Sequence, residues 1–196
     1  AGSPVSIKIN DWVRRKKQIT HSYLAMFRQA RQSIIIMSAY FLPNGQFRNE
    51  LRRAVKRGVD VKLILAGASD LMVAKHAERY MYRWLLKNGI KIYEYQKSVL
   101  HGKMAVYDGK WATVGSFNVN NISAYASIEL NLAVDHPVFA HQVESALITI
   151  MKQDCLNITA EHIEHSGFGT QIMQRGAYYI FRTLFFLFTF YFKQRN

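Results

Sequence analysis

In the first half of the chain, short apolar runs alternate with longer segments of helical periodicity. Residues 33–39 form a continuous run rich in isoleucine, which is typical of a strand buried on both faces. Two more strands are predicted at 59–65 and 90–95, and helices are predicted between them at 47–57 and 71–87. Because a strand, a helix and a second strand in succession form a βαβ unit, this alternation predicts a largely parallel sheet covered by helices.

A hairpin interrupts this alternation and makes the predicted sheet mixed. Asp108-Gly109 is a strong signal for a two-residue turn, and it separates the apolar residues 104–107 from a second short strand at 111–114. Another strand at 129–134 and a helix at 138–153 follow. The predicted fold class is therefore α/β, with a mixed, largely parallel sheet between helices on both faces.

The N-terminal segment is strongly basic. After a short strand at 5–9, apolar positions recur at helical spacing through residues 14–31, which predicts an amphipathic helix that begins with Arg14-Arg15-Lys16-Lys17. The whole chain has a net charge of +13, so its partners are expected to be anionic, and membrane lipid and nucleic acid both meet this requirement. Two interpretations of the basic cluster stay open: a solvated helix start or a contact with anionic lipid.

Four polar side chains are candidates for a phosphate site. His101 and Lys103 are two positions apart on a predicted strand, so their side chains project from the same face. Gly115-Ser116-Phe117-Asn118 is expected to be a strand end that turns into a helix, where the Ser116 hydroxyl caps the first turn and free backbone N–H groups attract an anion. We therefore expect the imidazole, the ammonium, the hydroxyl and the Asn118 amide to converge on one phosphate-sized site.

Glu129 follows on the next alternating segment, where its carboxylate is placed to orient the imidazole of His101. Phosphodiester cleavage needs a nucleophile, a proton for the departing alkoxide and positive donors around the phosphate oxygens. A histidine can fill either of the first two roles near neutral pH. Side-chain donors can fill the third, so we expect no metal or other cofactor.

A single imidazole cannot attack phosphorus and also protonate the leaving group on the opposite side. The chain contains one such histidine, so a second half is needed. Either two copies pair about a two-fold axis and place two His101 side chains across one site, or the chain is the carboxyl half of a longer enzyme. The first residues, which lack an initiating methionine, favour the second arrangement.

These residues resemble the HKD signature of the phospholipase D superfamily. The matching spacing is His101-x-Lys103-x4-Asp108-x6-Gly115-Ser116-x-Asn118, followed by Glu129. The resemblance implies two groups of site residues and no metal. The catalytic residues are His101, Lys103, Asp108 and Glu129, and the substrate-binding residues are Ser116 and Asn118. In this family one HKD histidine forms a phosphohistidine while the other acts as acid and then base, and the sequence leaves open which role His101 takes. Asp108 lies in the hairpin turn, which favours a structural role.

The resemblance extends beyond the signature to bacterial cardiolipin synthases. It covers roughly residues 14–160, with similar motifs at 39–43, 57–61 and 89–95, and it corresponds to the second half of a B-type member. It implies a transphosphatidylase that acts on anionic phospholipid and needs a second HKD half. The alternative is a nuclease of the same superfamily acting as a homodimer, although nucleic acid is the less favoured partner. A third interpretation is a lipid-binding module without catalysis.

Residues 176–192 are almost entirely apolar and aromatic, with Arg182 as the only charge. A membrane-spanning helix needs about 20 apolar residues, and aromatic rings prefer the membrane interface. We therefore expect a helix that lies in one leaflet, and the alternative is a helix that covers the domain or a partner. The predicted organisation is a phospholipase D-like domain at 1–170 and a membrane-associating helix at 171–196. With the resemblance, it implies the cytoplasmic face of a bacterial inner membrane.

Overall fold

One mixed sheet forms the centre of the molecule in the computed structural model, which describes residues 4–164 and 167–194. Its strands are β1 Val5–Asp11, β2 Lys16–Lys17, β3 Ser33–Ser38, β4 Asp60–Ala66, β5 Lys91–Tyr95, β6 Met104–Tyr107, β7 Trp111–Gly115, β8 Ile128–Asp135 and β9 Cys155–Ile158. The helices are α1 Gln18–Gln29, α2 Gly45–Lys56, α3 Met72–Lys87, α4 Asn121–Tyr125, α5 Pro137–Asp154, α6 Ala160–Glu164 and α7 Phe168–Gln194. The strand order across the sheet is β2-β1-β8-β7-β6-β3-β4-β5-β9.

The sheet is mixed, as predicted, but it is not largely parallel. Among the described strands, only the pairs β3–β4 and β4–β5 are parallel, and the six other pairs are antiparallel. The two βαβ units account for both parallel pairs. The prediction of a largely parallel sheet is wrong because β6, β7 and β8 return beside β3 as a meander, while β1, β2 and β9 close the two edges.

Strand β3 shows why helices cover both faces of the sheet. Ile34 and Ile36 point to one face, where they pack with residues of α1, α2 and α3. Ile35 and Met37 point to the other face and pack with α5. Each of these buried side chains stabilises the fold by roughly 1.5–3 kcal/mol. The continuous isoleucine run thus reflects a strand that is buried from both sides, as the sequence predicts.

The first helix begins later than its periodicity suggests. The side chain of Asn10 in β1 is buried, and its Oδ1 accepts hydrogen bonds from the backbone N–H groups of Ile19 and Thr20 at 2.9 Å and 3.3 Å. These bonds satisfy N–H groups that the first helical turn leaves unpaired, so α1 starts at Gln18. The prediction that Arg14-Arg15-Lys16-Lys17 begins this helix is therefore wrong. Arg14 and Arg15 lie in the exposed turn between β1 and β2, where Arg15 adopts φ 54°, and Lys16 and Lys17 form the exposed strand β2.

Helix α7 lies against α3. The rings of Tyr178 and Tyr80 are 4.8 Å apart, and Ala177 is buried beside them. Within the portion of the chain that the structure covers, no helix is both long enough and apolar enough to cross a membrane.

Candidate active site

The site lies at the edge of the sheet where β3 and β4 end and β6 begins. His101 is exposed and Lys103 is half-buried, in the extended segment just before β6. The Lys103 Nζ is 3.2 Å from the His101 Nδ1 and donates to the His101 carbonyl at 2.6 Å. Gly102 lies between them, where a Cβ would clash with the Met37 Sδ. The two predicted side chains are therefore close together, with the imidazole open to solvent.

Glu129 is buried next to this pair, but its partners differ from the prediction. Its Oε2 accepts a short hydrogen bond from the Ser116 hydroxyl, and its Oε1 accepts one from Ser127 Oγ at 2.8 Å. Among the hydrogen bonds of the described residues, none joins Glu129 to His101. Within this chain the carboxylate therefore holds Ser116, and the expectation that it orients His101 of the same chain is wrong.

Ser116 does not cap a helix, which corrects a second expectation. Its hydroxyl accepts from the backbone N–H of Leu130 at 3.0 Å, so the chain after β7 stays pinned to β8. The next helix, α4, begins five residues later, where Asn120 Oδ1 accepts from the Ser123 N–H at 2.9 Å. The site therefore has no helix N-terminus at Ser116.

Asn118 reaches the site from the loop after β7. Its Oδ1 accepts from the backbone N–H of Tyr40 at 3.2 Å and from Ser38 Oγ at 3.4 Å. The carbonyl oxygen is thereby committed to the end of β3. Its NH₂ group makes no hydrogen bond among the residues that the structure describes, and it is the part of Asn118 left to donate to a ligand.

Two further residues belong to the site although the sequence analysis did not single them out. Asp70 accepts a short hydrogen bond from the Tyr40 hydroxyl. This bond lowers the pKa of Asp70, and the nearby His101 lowers it further. Both residues follow the carboxyl ends of parallel strands, β3 for Tyr40 and β4 for Asp70, which is where ligands bind in such sheets. This rule about the ends of parallel strands was the signal in the sequence that could have identified Tyr40 and Asp70 as site residues.

Lys103 carries its charge between two carboxylates. Burial lowers the pKa of Lys103, and the carboxylates of Glu129 and Asp70 oppose this effect. The ammonium therefore sits in a partly desolvated place, where its attraction for an anion is stronger than in bulk water. This ammonium lies 3.2 Å from the His101 Nδ1 atom, so the imidazole and the positive charge are adjacent.

A buried ionic cluster around Glu78 and Lys75 holds the backbone next to the site. Glu78 accepts from the backbone N–H of Phe41 at 3.1 Å, and its other oxygen lies 3.3 Å from the Lys75 Nζ. Burial raises the pKa of Glu78 to about 7, although Lys75 and the Phe41 N–H act in the opposite direction. The cluster fixes the backbone next to Tyr40, which in turn holds Asn118.

Asp108 lies at the opposite end of β6 from Lys103. Its carboxylate accepts from the backbone N–H groups of Arg31, Gln32 and Ser33 at 2.8, 2.8 and 2.9 Å. Burial acts to raise the pKa of Asp108, but these N–H groups outweigh it and the pKa is lowered. The structure therefore does not bring Asp108 together with His101. The contacts fit the structural role that the hairpin position favours for Asp108.

The chain matches a protein-family model described as "Cardiolipin synthase, PLD-like domain" over residues 23–151, which includes all the site residues above. It is 38% identical over 143 residues to cardiolipin synthase B of Salmonella typhi. That alignment covers 73% of this chain and 35% of the relative, so the chain spans about a third of the length of the curated relatives it matches.

Two solved structures share the fold. Nuc, a phospholipase D family member from Salmonella typhimurium, superposes with a TM-score of 0.68 at 19% identity and covers 81% of this chain and 100% of its own. Phosphatidylserine synthase from Haemophilus influenzae gives a TM-score of 0.72 at 14% identity over 94% of this chain and 47% of its own. The same fold therefore forms one whole protein and about half of another.

Proposed function

Because the chain belongs to the phospholipase D-like domain family of cardiolipin synthases, we propose that its site transfers a phosphatidyl group from one phospholipid to another. The observation that carries the proposal is the pairing of an exposed His101 with Lys103, whose Nδ1 and Nζ atoms are 3.2 Å apart. An imidazole with adjacent cationic and amide donors suits a phosphodiester, because the donors compensate the charge that develops on the phosphate oxygens.

The reaction needs two histidines on opposite sides of the phosphorus, of which His101 supplies one. In the first step one imidazole nitrogen forms a bond to phosphorus, and the bond from phosphorus to the headgroup oxygen breaks. The other histidine gives its proton to that oxygen, so the headgroup leaves as an alcohol. In the second step the same histidine takes the proton from the hydroxyl of an acceptor phospholipid, whose oxygen displaces the first imidazole from phosphorus.

The remaining site residues position charge. Lys103 and Asn118 donate to the phosphate oxygens, and Lys103 also lies within the field of Glu129. The Ser116 hydroxyl donates its hydrogen to Glu129, so we assign Ser116 the role of fixing that carboxylate. The donors and acceptors all come from protein side chains, so this proposal assigns no step to a metal or cofactor.

An exposed apolar face supports the presence of a second HKD half. The sheet face that α5 covers near its centre continues onto β1 and β8, whose apolar residues there have exposed fractions between 39% for Leu132 and 65% for Ile128. These residues are Val5, Ile7, Ile128, Leu130 and Leu132. The face lies on the side of β8 opposite to the Glu129 side chain, and a patch of this kind marks a protein contact. We propose that the second half, from a longer chain or a second copy, docks on it.

Helix α7 supports the proposed membrane location. Ile172, Ile180 and Leu184 are separated by multiples of four positions, so they share one side of the helix, and each is more than half exposed. Beyond Leu184 the sequence continues as FFLFTFYF, whose side chains lie outside the described residues. We propose that this side of α7 lies in the headgroup region of a bacterial inner membrane, as a peripheral contact on its cytoplasmic face.

Substrate choice tests the proposal directly. The chain, assembled with its second half, is incubated in parallel with phosphatidylglycerol vesicles and with single-stranded DNA. Lipid products are separated by thin-layer chromatography, and DNA products by gel electrophoresis. We expect lipid turnover and no DNA cleavage. DNA cleavage without lipid turnover would establish the nuclease alternative instead.

A further inference from the structure

Two adjoining cavities lie where α7 passes over α2, α3 and α4. Their volumes are about 330 and 530 Å³, and both are lined by Arg48, Tyr178 and Arg182. The smaller cavity is completed by residues of the α2 and α4 loops: Leu42, Pro43, Asn44, Asn120, Asn121 and Ile122. Helix α7 lies beyond residue 151, where the family match ends, so these cavities are not part of the matched domain alone.

The charge of these cavities is one-sided. The larger one adds Arg79, Arg83, Lys87 and Arg175 to the two shared arginines, and no aspartate or glutamate is among the described residues that line either cavity. Pockets of about 300–1,000 Å³ are the usual size for small ligands. The combination of arginines, amides and apolar walls therefore favours an anion that carries an apolar part.

Arg48 is held in place but has an unused donor. Its guanidinium lies 5.8 Å from the centre of the Trp84 ring, and its buried Nε has no hydrogen-bond partner in the described structure. Asn121 Oδ1 in the same cavity is also buried without a partner. An unpaired buried donor destabilises the structure, so an acceptor bound beside Arg48 would supply the missing hydrogen bond.

The smaller cavity begins close to the catalytic site. The backbone N–H of Tyr40 donates to Asn118 in the site, and further along the same two segments the Leu42 N–H donates to the Val119 carbonyl at 2.9 Å. Leu42 and Asn120 then form an isolated parallel bridge and line the cavity. Two extended residues span about 7 Å, so the lining of the cavity begins about 7 Å from the Tyr40–Asn118 contact.

We propose that this cavity binds the phosphate of a second, anionic phospholipid, with Arg48 and Arg182 on its oxygens and Leu42, Ile122 and Phe181 against its glycerol and first acyl carbons. The identity of the ligand rests on the proposed function. The exposed apolar side of α7 favours a lipid over a nucleic acid, because that side would rest in the bilayer from which the lipid enters. The volume fits a headgroup region, and the acyl chains would extend along α7.

Isothermal titration of the 196-residue chain with dihexanoylphosphatidylglycerol, a water-soluble lipid, tests the proposal. We expect saturable binding that weakens at least tenfold in Arg48→Gln/Arg182→Gln. The matched control is Arg52→Gln/Lys56→Gln, which removes the same charge from exposed positions of α2 and should change the affinity less than twofold. Dihexanoylphosphatidylcholine and glycerol 3-phosphate should bind more weakly, because one adds a cation and the other lacks acyl chains.

A second variant guards against a folding defect in the arginine pair. Ile122 is exposed at the cavity, so Ile122→Glu adds a carboxylate there without removing an arginine, and it should also weaken binding at an unchanged melting temperature. Equal losses in the control pair, or full affinity in Arg48→Gln/Arg182→Gln, would overturn the proposal. So would glycerol 3-phosphate binding as tightly as the lipid, or an oligonucleotide that binds through the two arginines while the lipid does not.

The catalytic proposal and the cavity proposal fail separately. His101→Ala should retain full affinity for the short-chain lipid, because His101 does not line the cavity. If the chain binds lipid through Arg48 and Arg182, but transfers no phosphatidyl group even when it is assembled with its second half, the proposed function is wrong and the cavity assignment stands.

Discussion

The two ends of strand β6 carry parts of one signature and have opposite characters. At one end His101 is exposed, and its neighbour Lys103 keeps an ammonium near it at 3.2 Å. At the other end the carboxylate of Asp108 is fully used by three backbone N–H groups of the segment that leads into β3. A sequence motif can therefore combine a reactive group with a structural anchor. The two roles are distinguished by whether the polar atoms are already paired.

The largest effect that separates the two ends is the loss of catalysis at His101. His101→Ala should reduce phosphatidyl transfer by about 1,000-fold or more, because no other group can take the place of the imidazole. Its melting temperature should stay unchanged, since the side chain is exposed. The exposed His21 on α1 provides the control, and His21→Ala should leave both transfer and stability as they are. Equal activity in the two variants would remove His101 from the site.

Asp108 should show the reverse pattern. Asp108→Asn keeps a residue that tolerates the positive φ of 51° but removes the charge that three N–H groups share. We expect a loss of about 2 kcal/mol in the free energy of unfolding, measured by urea titration, with little change in the transfer rate per folded molecule. The exposed Asp135 serves as the comparison, and Asp135→Asn should cost less than about 0.5 kcal/mol. A large catalytic loss at full stability would contradict the structural role.

Catalysis at the His101 end of β6 should also depend on a surface outside the site, because that surface is proposed to bind the second half. Ile7→Lys places a charge in the exposed apolar face of β1 and β8, so it should weaken association with the second half about tenfold without lowering the melting temperature. Sedimentation velocity measures the association. Val138→Lys, at an equally exposed position on α5, should leave it unchanged. Association that is insensitive to Ile7→Lys would move the contact elsewhere.

The smallest effect is the pH dependence of the Asp108 contribution. The folded-state pKa of Asp108 lies below its ordinary value of 3.8, so its stabilisation is complete above that value and is lost as pH falls through the lower folded-state pKa. The difference in unfolding free energy between the unmodified protein and Asp108→Asn should therefore be constant between pH 6 and 8. It should shrink as the pH falls below about 4. A difference that grows on acidification would reverse the assigned sign.

Local signals in the sequence predicted the parts of the molecule that depend on neighbouring residues. The Asp108-Gly109 turn, the buried isoleucine strand and the pairing of His101 with Lys103 follow from turn chemistry and from the two-residue period of an extended chain. The parts that failed depend on distant contacts. Asn10, in the neighbouring strand β1, sets the start of α1. The register of β7 on β8 brings Ser116 within hydrogen-bond distance of Glu129. Neither contact can be predicted from the spacing of the residues in the sequence.

The missed residues have the same origin. Asp70 and Tyr40 are 30 positions apart in the sequence, and only the parallel pairing of β3 with β4 brings their hydroxyl and carboxylate together. The arginines around α7 are similar, because their shared cavities depend on how that helix crosses α2 and α3. Sequence reasoning finds such sites only when it places candidate residues at the carboxyl ends of predicted parallel strands.

The most direct test of the central claim is mass spectrometry of the lipids formed when the assembled protein acts on phosphatidylglycerol vesicles. A phosphatidyl transferase should yield a product with two phosphatidyl groups and one released glycerol, and His101→Ala should yield neither. Formation of that product by His101→Ala at the unmodified rate would contradict the account.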